Sequence, residues 1–483
     1  MRYSSYFLLL IIGILFQMTG CGQEKNFVRI SITYPKAAGD TVIVGRTNMI
    51  SLAGIELGKT RLDSAGKGTI EVEVDEPLFA YVYGKHMAVG LLIGPGDEVQ
   101  ILPSSKGAKL AMRFEGDGAI VNQIYNESTQ LGNDFNKWNG TYAFRLGSEE
   151  FLEAKDSLQR SYDQLLAKLK SNKQVSAERV DMLTRQTAMH VIFYQYNFVA
   201  GKDSSEILPS VWKVVQKFPV DTIALKTGIY DYALIASNFY REEISNAIYE
   251  ENEKVNEDTL ESIFPFLVEK KIKASRYPKP IEDFLRVKSA SIQIGLNGLT
   301  PSLHELAKKL EQEIPFNDFK SVIREDVARW EKIGPGKPAP DFAGITPDGK
   351  KLALSDLRGK VVYVDIWATW CGPCVGEFPD SRKVQAEFRG NDKIAFLFVS
   401  TDRDTLAWKK MVAAGKVPPG YHMLNGSDKP ESVWDLYHVW GIPRYLLIDA
   451  QGRIVTTHAV RPSSGNVPAE LRKLLANNPV ASR

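Results

Sequence analysis

The sequence predicts a multidomain chain: an N-terminal all-β domain, a central α-helical region and a C-terminal α/β domain. Three observations lead to this. Apolar residues alternate with period two over residues 27–120. They recur every three or four positions over residues 121–333. From residue 341 they gather into short continuous runs separated by helical stretches. The 483 residues suffice for about three domains. A composition 44% hydrophobic and 24% charged excludes a disordered, collagen-like or multi-span membrane protein. Lys+Arg total 60 and Asp+Glu 58, so no charge excess points to nucleic acid.

Residues 1–20 read as an address. Arg2 precedes an apolar run, Phe7 to Phe16, too short for a membrane-spanning helix, which needs about 20 residues. A basic start before a short apolar core is a secretory signal peptide. It ends in Met18-Thr19-Gly20-Cys21, which resembles the bacterial lipobox. That resemblance implies a lipidated Cys21 as the new N-terminus, with residues 21–26 as a tether. Residue 22 is Gly rather than Asp, so the inner-membrane retention signal of many lipoproteins is absent and the outer membrane is favoured. The expected location is the cell envelope, lipid-anchored and facing the periplasm, where disulfides persist.

Residues 27–120 are expected to form a β-sandwich-like domain. Val28, Ile30, Ile32 and Tyr34 alternate with Arg29, Ser31 and Thr33; Ile70, Val72 and Val74 alternate with Glu71 and Glu73. Turns fall at Ser64–Gly68 and Gly94–Asp97. This order, with Phe114-Glu115-Gly116, resembles the small β-domain that opens many envelope lipoproteins of Bacteroidetes. His86 has no evident partner and reads as structural.

Residues 121–333 read as a helical domain. Ser148 is the expected cap of a helix with Glu149 and Glu150 in its first turn. Phe151, Ala154, Leu158, Tyr162, Leu165 and Leu169 form its apolar stripe. A second helix is expected from Ser176 to a stop at Gly201. Its aromatic residues, Phe193, Tyr194, Tyr196 and Phe198, read as bundle packing. His190 and His304 lie far apart, with no metal-ligand spacing.

Residues 334–340 form a Gly/Pro-rich joint before the last domain, 341–483. Val361 to Trp367 is a continuous apolar run, as in a strand buried on both faces. Ile394 to Val399 and Tyr445 to Ile448 are similar. Asp449–Gly452 turns the chain into Arg453–Thr457, and a helix from about Val467 follows.

The chemistry sits at Trp370-Cys371-Gly372-Pro373-Cys374. Of three cysteines in the chain, two stand three positions apart, so their sulfurs meet across one helical turn. Cys371 falls at the helix start, where free N–H groups and the dipole favour its thiolate. Pro373 suits the first turn, and Cys374 is the shielded resolving thiol. A zinc site would need further Cys or His ligands, and covalent haem a His where Val375 stands. No metal and no cofactor are expected.

Val364 to Cys374 resembles the active-site segment of thioredoxin, and Lys337-Pro338-Ala339-Pro340-Asp341-Phe342 resembles the opening of its membrane-tethered TlpA/ResA branch. The resemblance implies a thioredoxin fold and thiol–disulfide exchange. It implies a buried proton-relaying acid at Asp365 and a glutamate that tunes cysteine acidity at Glu377. It also implies a cis-proline at Pro443, preceded by Ile442, whose backbone pairs with substrate. Arg444 stands where Thr is common, and is expected to favour acidic substrates. Gly372-Pro373 resembles reducing thioredoxins, whose potential is about −270 mV. The expected partners are disulfide-containing envelope proteins, among them apocytochrome c, and a membrane thiol-transfer reductant. Two other readings are a binding lipoprotein with an accessory redox domain, and a peroxidase. The peroxidase would need Thr or Ser where Ala368 stands.

Overall fold

In a computed structural model, the chain is described over residues 26–477, apart from 106–111, 201, 204, 206, 212–217, 256 and 427–430. The signal peptide, Cys21 and the expected helix stop at Gly201 lie outside the described residues. Contacts divide the chain into two compact units. One holds residues up to Tyr240 with Tyr277–Ile281, and the other holds Arg241–Arg276 with Glu282 onward.

The first unit begins with eight strands: β1 (Phe27–Thr33), β2 (Thr41–Thr47), β3 (Gly54–Arg61), β4 (Lys67–Glu73), β5 (Leu78–Gly84), β6 (Met87–Ile93), β7 (Glu98–Pro103) and β8 (Met112–Gly116). They make two four-stranded sheets, ordered β4-β1-β7-β8 and β3-β2-β5-β6. Val28, Ile30 and Ile32 of the first sheet share one core with Val42, Val44 and Val82 of the second, which makes the pair a sandwich. Alternation in the sequence is alternation of burial here, because successive side chains leave opposite faces. The turn before β4 requires Gly66: its φ is +74°, and a Cβ there would lie 2.3 Å from the Tyr34 carbonyl oxygen. His86, for which the sequence shows no partner, pairs with Asp40 at 2.8 Å.

Edge strand β6 is covered by α1 (Ala119–Asn136). Asn122 accepts a hydrogen bond from Leu92 N at 2.7 Å, and Asn126 bonds both Gly90 N and Gly90 O, which satisfies backbone groups an edge leaves open. The ribbon β9 (Lys137–Trp138) and β10 (Thr141–Tyr142) precedes α2 (Ser148–Ser171) and α3 (Ala177–Val199). Helix α2 starts at Ser148 itself, with Gly147 in the cap position, one residue earlier than expected; the ends of helices shift this easily. All six residues of its expected stripe are buried. Ser176 caps α3 through Arg179 N. The α3 aromatics pack inward: Phe198 stacks on Phe151 at 4.0 Å, and Tyr194 meets Phe135 at 4.7 Å. His190 lies within reach of Asp231, Tyr162 and Gln186, at 3.1, 3.3 and 3.0 Å. The helix α4 (Thr222–Lys226) follows, then α5 (Tyr230–Glu251), whose residues from Arg241 on belong to the second unit.

The second unit contains α6 (Glu257–Ala274), most of α7 (Lys279–Asn297), α8 (Pro301–Glu313) and α9 (Asn317–Glu331). Arg286 of α7 is fully buried; its guanidinium donates to Glu269 at 2.7 Å and to Glu313 at 2.5 Å. After the joint come β11 (Ala343–Ile345), β12 (Lys351–Ala353), β13 (Val361–Trp367), α10 (Gly372–Gly376), α11 (Phe378–Glu387), β14 (Ile394–Ser400), α12 (Thr405–Ala413), β15 (Tyr421–Leu424), α13 (Val433–Leu436), β16 (Arg444–Ile448), β17 (Ile454–Thr456) and α14 (Val467–Asn477). The sheet order is β12-β11-β15-β14-β13-β16-β17. Strand β13 runs parallel to β14 and antiparallel to β16, and all seven of its residues are buried. On one face, Val361 and Tyr363 of β13 pack with Val384 and Phe388 of α11 and Val467 and Leu471 of α14. The all-β, helical and thioredoxin-like parts expected from the sequence are thus all present. Among the described residues, no helix is long and apolar enough to cross a membrane.

Removing one member of a buried ion pair strands the others. Arg286→Ala is expected to lower unfolding free energy by about 3–5 kcal/mol, read by urea denaturation of the oxidised protein.

Candidate active site

The cysteines sit where β13 hands over to α10. Cys371 is the N-cap of α10, Pro373 lies in the first turn, and Cys374 is fully buried one turn in. The two are joined as a disulfide with Cα atoms 5.3 Å apart. Cys371 Sγ accepts a hydrogen bond from Cys374 N at 3.2 Å. That is the bond an N-cap side chain makes, and it would favour the thiolate once the disulfide opens. Gly372 leaves open space beside its Cα. Trp370 is 69% exposed, projecting beside the pair. Cys371 itself is only 5% exposed, and Cys374 is sealed within the cluster that holds Trp367, Phe378, Phe398 and Trp408.

The turn carrying Thr369-Trp370-Cys371 is pinned from β14. Asp402, buried just past the end of that strand, accepts from Thr369 N at 2.9 Å, Thr369 Oγ1 at 2.7 Å and Ser400 Oγ at 2.7 Å. The sequence reading missed Asp402. Its signal was an acid directly after a buried strand, within Ser400-Thr401-Asp402.

Asp365 and Glu377 have different surroundings. Asp365 projects from the same face of β13 as Trp367, whose ring packs with both cysteines. It is 2% exposed, and neither carboxyl oxygen has a hydrogen-bond partner among the described residues. Burial, and secondarily the neighbouring Glu377 carboxylate, pushes its pKa well above the ordinary value. An unpartnered buried carboxylate is costly enough that the group keeps its proton instead. Glu377 is held: Oε2 accepts from Ser463 N at 3.0 Å and Oε1 from Ser463 Oγ at 2.8 Å. Ser463 lies 86 residues further on, and no local pattern announces it. The phenols of Tyr363 and Tyr445 are pushed above their usual range, chiefly by burial, and stay protonated at neutral pH.

The Ile442–Pro443 peptide is cis. Ile442 packs against the cluster that holds both cysteines, so this loop adjoins the disulfide. Arg444 departs from expectation. It is 7% exposed, and its Nη2 donates to the Leu296 carbonyl at 3.0 Å while Nη1 meets His458 Nε2. Burial pushes its pKa down to about 10, still charged at neutral pH. On β16 it stands opposite Ile366, so it leaves the face that does not carry Asp365 and Trp367. The guanidinium is committed within the protein and does not present itself to an acidic substrate. Among the described residues, no group of His, Cys, Asp and Glu is arranged to hold a metal.

Residues 334–475 match the Redoxin family model. Thiol-disulfide oxidoreductase ResA of Bacillus anthracis is 31% identical over 125 residues, covering 26% of this chain and 69% of that protein. The chain belongs to the ResA-type thiol–disulfide oxidoreductases. The thioredoxin-like protein YneN of Bacillus subtilis is 44% identical over 144 residues, covering 30% of this chain and 79% of that protein. Among solved structures, the thioredoxin domain of a thiol-disulfide oxidoreductase from Bacteroides vulgatus is 30% identical, with a TM-score of 0.27, covering 29% of this chain and 96% of that one. The ResA-type relationship thus rests on the C-terminal domain, and this chain is a thiol–disulfide oxidoreductase.

Asp365 predicts a pH dependence whose sign follows from its raised pKa. Natively it keeps a proton that the unfolded chain, titrating near the ordinary value of about 3.9, has lost. Stability from this group therefore falls as pH rises above about 4, by up to about 1.4 kcal/mol per pH unit, until the native pKa is passed. Asp365→Asn should flatten that slope, measured by denaturation of the oxidised protein across pH.

Proposed function

We propose that this ResA-type protein is a lipid-anchored reductase of protein disulfides in the bacterial envelope. The observation that carries the redox chemistry is the Cys371–Cys374 disulfide at a helix start, Cys371 in the N-cap position and Cys374 fully sealed one turn in. Cys371 thiolate attacks a substrate disulfide and forms a mixed disulfide, and the substrate's other sulfur leaves as a thiolate. Cys374 then attacks Cys371 Sγ, which releases the second substrate thiol and closes the Cys371–Cys374 disulfide. Two electrons pass to the substrate. Asp365, protonated at rest, relays the Cys374 proton: it gives its own proton to the departing substrate thiolate and takes that of Cys374, since its oxygens have no other partner among the described residues, whereas both oxygens of Glu377 are engaged by Ser463. Glu377 acts on this exchange through its charge beside Asp365. A membrane thiol-transfer protein restores the dithiol. The substrates are envelope proteins oxidised out of place, or the haem-attachment cysteines of apocytochrome c.

The Gly-Pro spacer, which resembles that of reducing thioredoxins, supports the direction of electron flow. The basic-apolar leader ending in Cys21 supports the location.

The full chain should reduce insulin disulfides with dithiothreitol as electron source, and Cys371→Ser should abolish turnover. Cys374→Ser should accumulate mixed disulfides that name the substrate; capture of no envelope protein would remove the substrate assignment. Separately, Cys21→Ser should move the protein from the membrane fraction to the soluble one on cell fractionation, since lipidation needs that thiol.

A further inference from the structure

The loop before β16 is held by the helices that precede the redox domain. Trp440, three residues before Pro443, has its indole against Gly295 of α7. A Cβ built on Gly295 would lie 2.6 Å from Trp440 Cε2 and 2.8 Å from Cδ2 and Cζ2, so any other residue would displace the ring. Glycine is a poor helix former, and at this buried position it leaves the notch in which the indole rests. One residue on, the Leu296 carbonyl accepts from Arg444 Nη2 at 3.0 Å. Contacts from α7 therefore meet the chain on both sides of Ile442-Pro443.

A second tier supports the first. His458 Nε2 faces Arg444, which only donates, so that nitrogen accepts, and Nδ1 carries the proton toward Thr457 Oγ1 at 3.0 Å. The ring of His458 packs on Trp330 of α9 at 5.2 Å. Gly298, with φ at +72°, passes so close that a Cβ would lie 2.8 Å from His458 Nδ1. Trp330 also meets His438, in the same loop as Trp440, at 5.5 Å.

We propose that the end of α7 is a positioning element of the redox site: Gly295 seats Trp440, the Leu296 carbonyl holds Arg444, and together they fix the 440–444 loop against which the polypeptide around a target disulfide pairs. This rests on the reductase reading above and assigns a task to helices outside the redox domain. Gly295 and Trp440 act through the loop and are positioning residues, not catalytic ones. A displaced loop weakens capture of an extended polypeptide more than attack on a small disulfide, which needs only to reach Cys371 Sγ and makes no contact along the loop.

The test uses the full chain and two substrates, insulin and 5,5′-dithiobis(2-nitrobenzoate). Gly295→Ala places a methyl group where the indole lies while improving helix propensity, so a purely structural role predicts equal effects on both substrates. The expected result is a fall of about tenfold in the ratio of kcat/KM for insulin to that for the small disulfide, carried by KM rather than kcat. An unchanged ratio, or equal losses on both substrates, would overturn the proposal. Should Gly295→Ala fail to fold, Trp440→Leu reads the same contact from the other side, with the same ratio deciding. A wild-type chain that reduces neither substrate would sink the reductase reading itself, and this proposal with it.

Discussion

Every feature of the site depends on one strand that water does not reach on either face. Strand β13 lies between β14 and β16, and each of its residues is buried. A rigid, sealed strand delivers Cys371 to a fixed point, the start of α10, where a cap position and a helix dipole favour sulfur as a thiolate. The same sealing produces the acid. Asp365 is carried into a buried layer with no hydrogen-bond partner for its oxygens among the described residues, so burial first, and the Glu377 charge second, make it a proton store. Position of the nucleophile and acidity of the relay are two results of one packing arrangement.

The two acids show how similar residues come to differ. Each lies within six residues of a cysteine, and both are mostly buried. Glu377 finds a backbone N–H and a hydroxyl at Ser463, which satisfy an ionised carboxylate. Asp365 finds no hydrogen-bond partner for either oxygen among the described residues. A charge on the first therefore raises the proton affinity of the second, which divides labour between residues that their spacing alone leaves equivalent.

The helices before the redox domain do more than precede it in the chain. Those after Arg241 belong to the same compact unit as the thioredoxin-like sheet. One of their ends holds Arg444 and Trp440 on either side of the Ile442–Pro443 peptide. The buried Arg286 cluster ties α6, α7 and α8 together, which keeps that end in one place. A cation at a substrate-facing position of the sequence thus becomes a strut within the protein.

The sequence by itself determined the elements and the reactive pair. Period-two alternation marks β1 and β4, three–four spacing marks α2, and Trp-Cys-Gly-Pro-Cys after an apolar run marks the exchange site, because each signal is carried by residues adjacent in the chain. Only the tertiary structure decided which side chains at those positions are committed. Ser463 reaches Glu377 across 86 residues, Asp402 pins Thr369 across 33, and Leu296 engages Arg444 across 148. Such pairings leave no periodic trace. They depend on how separate elements pack, and a single sequence records local preference far more directly than the contacts between distant segments.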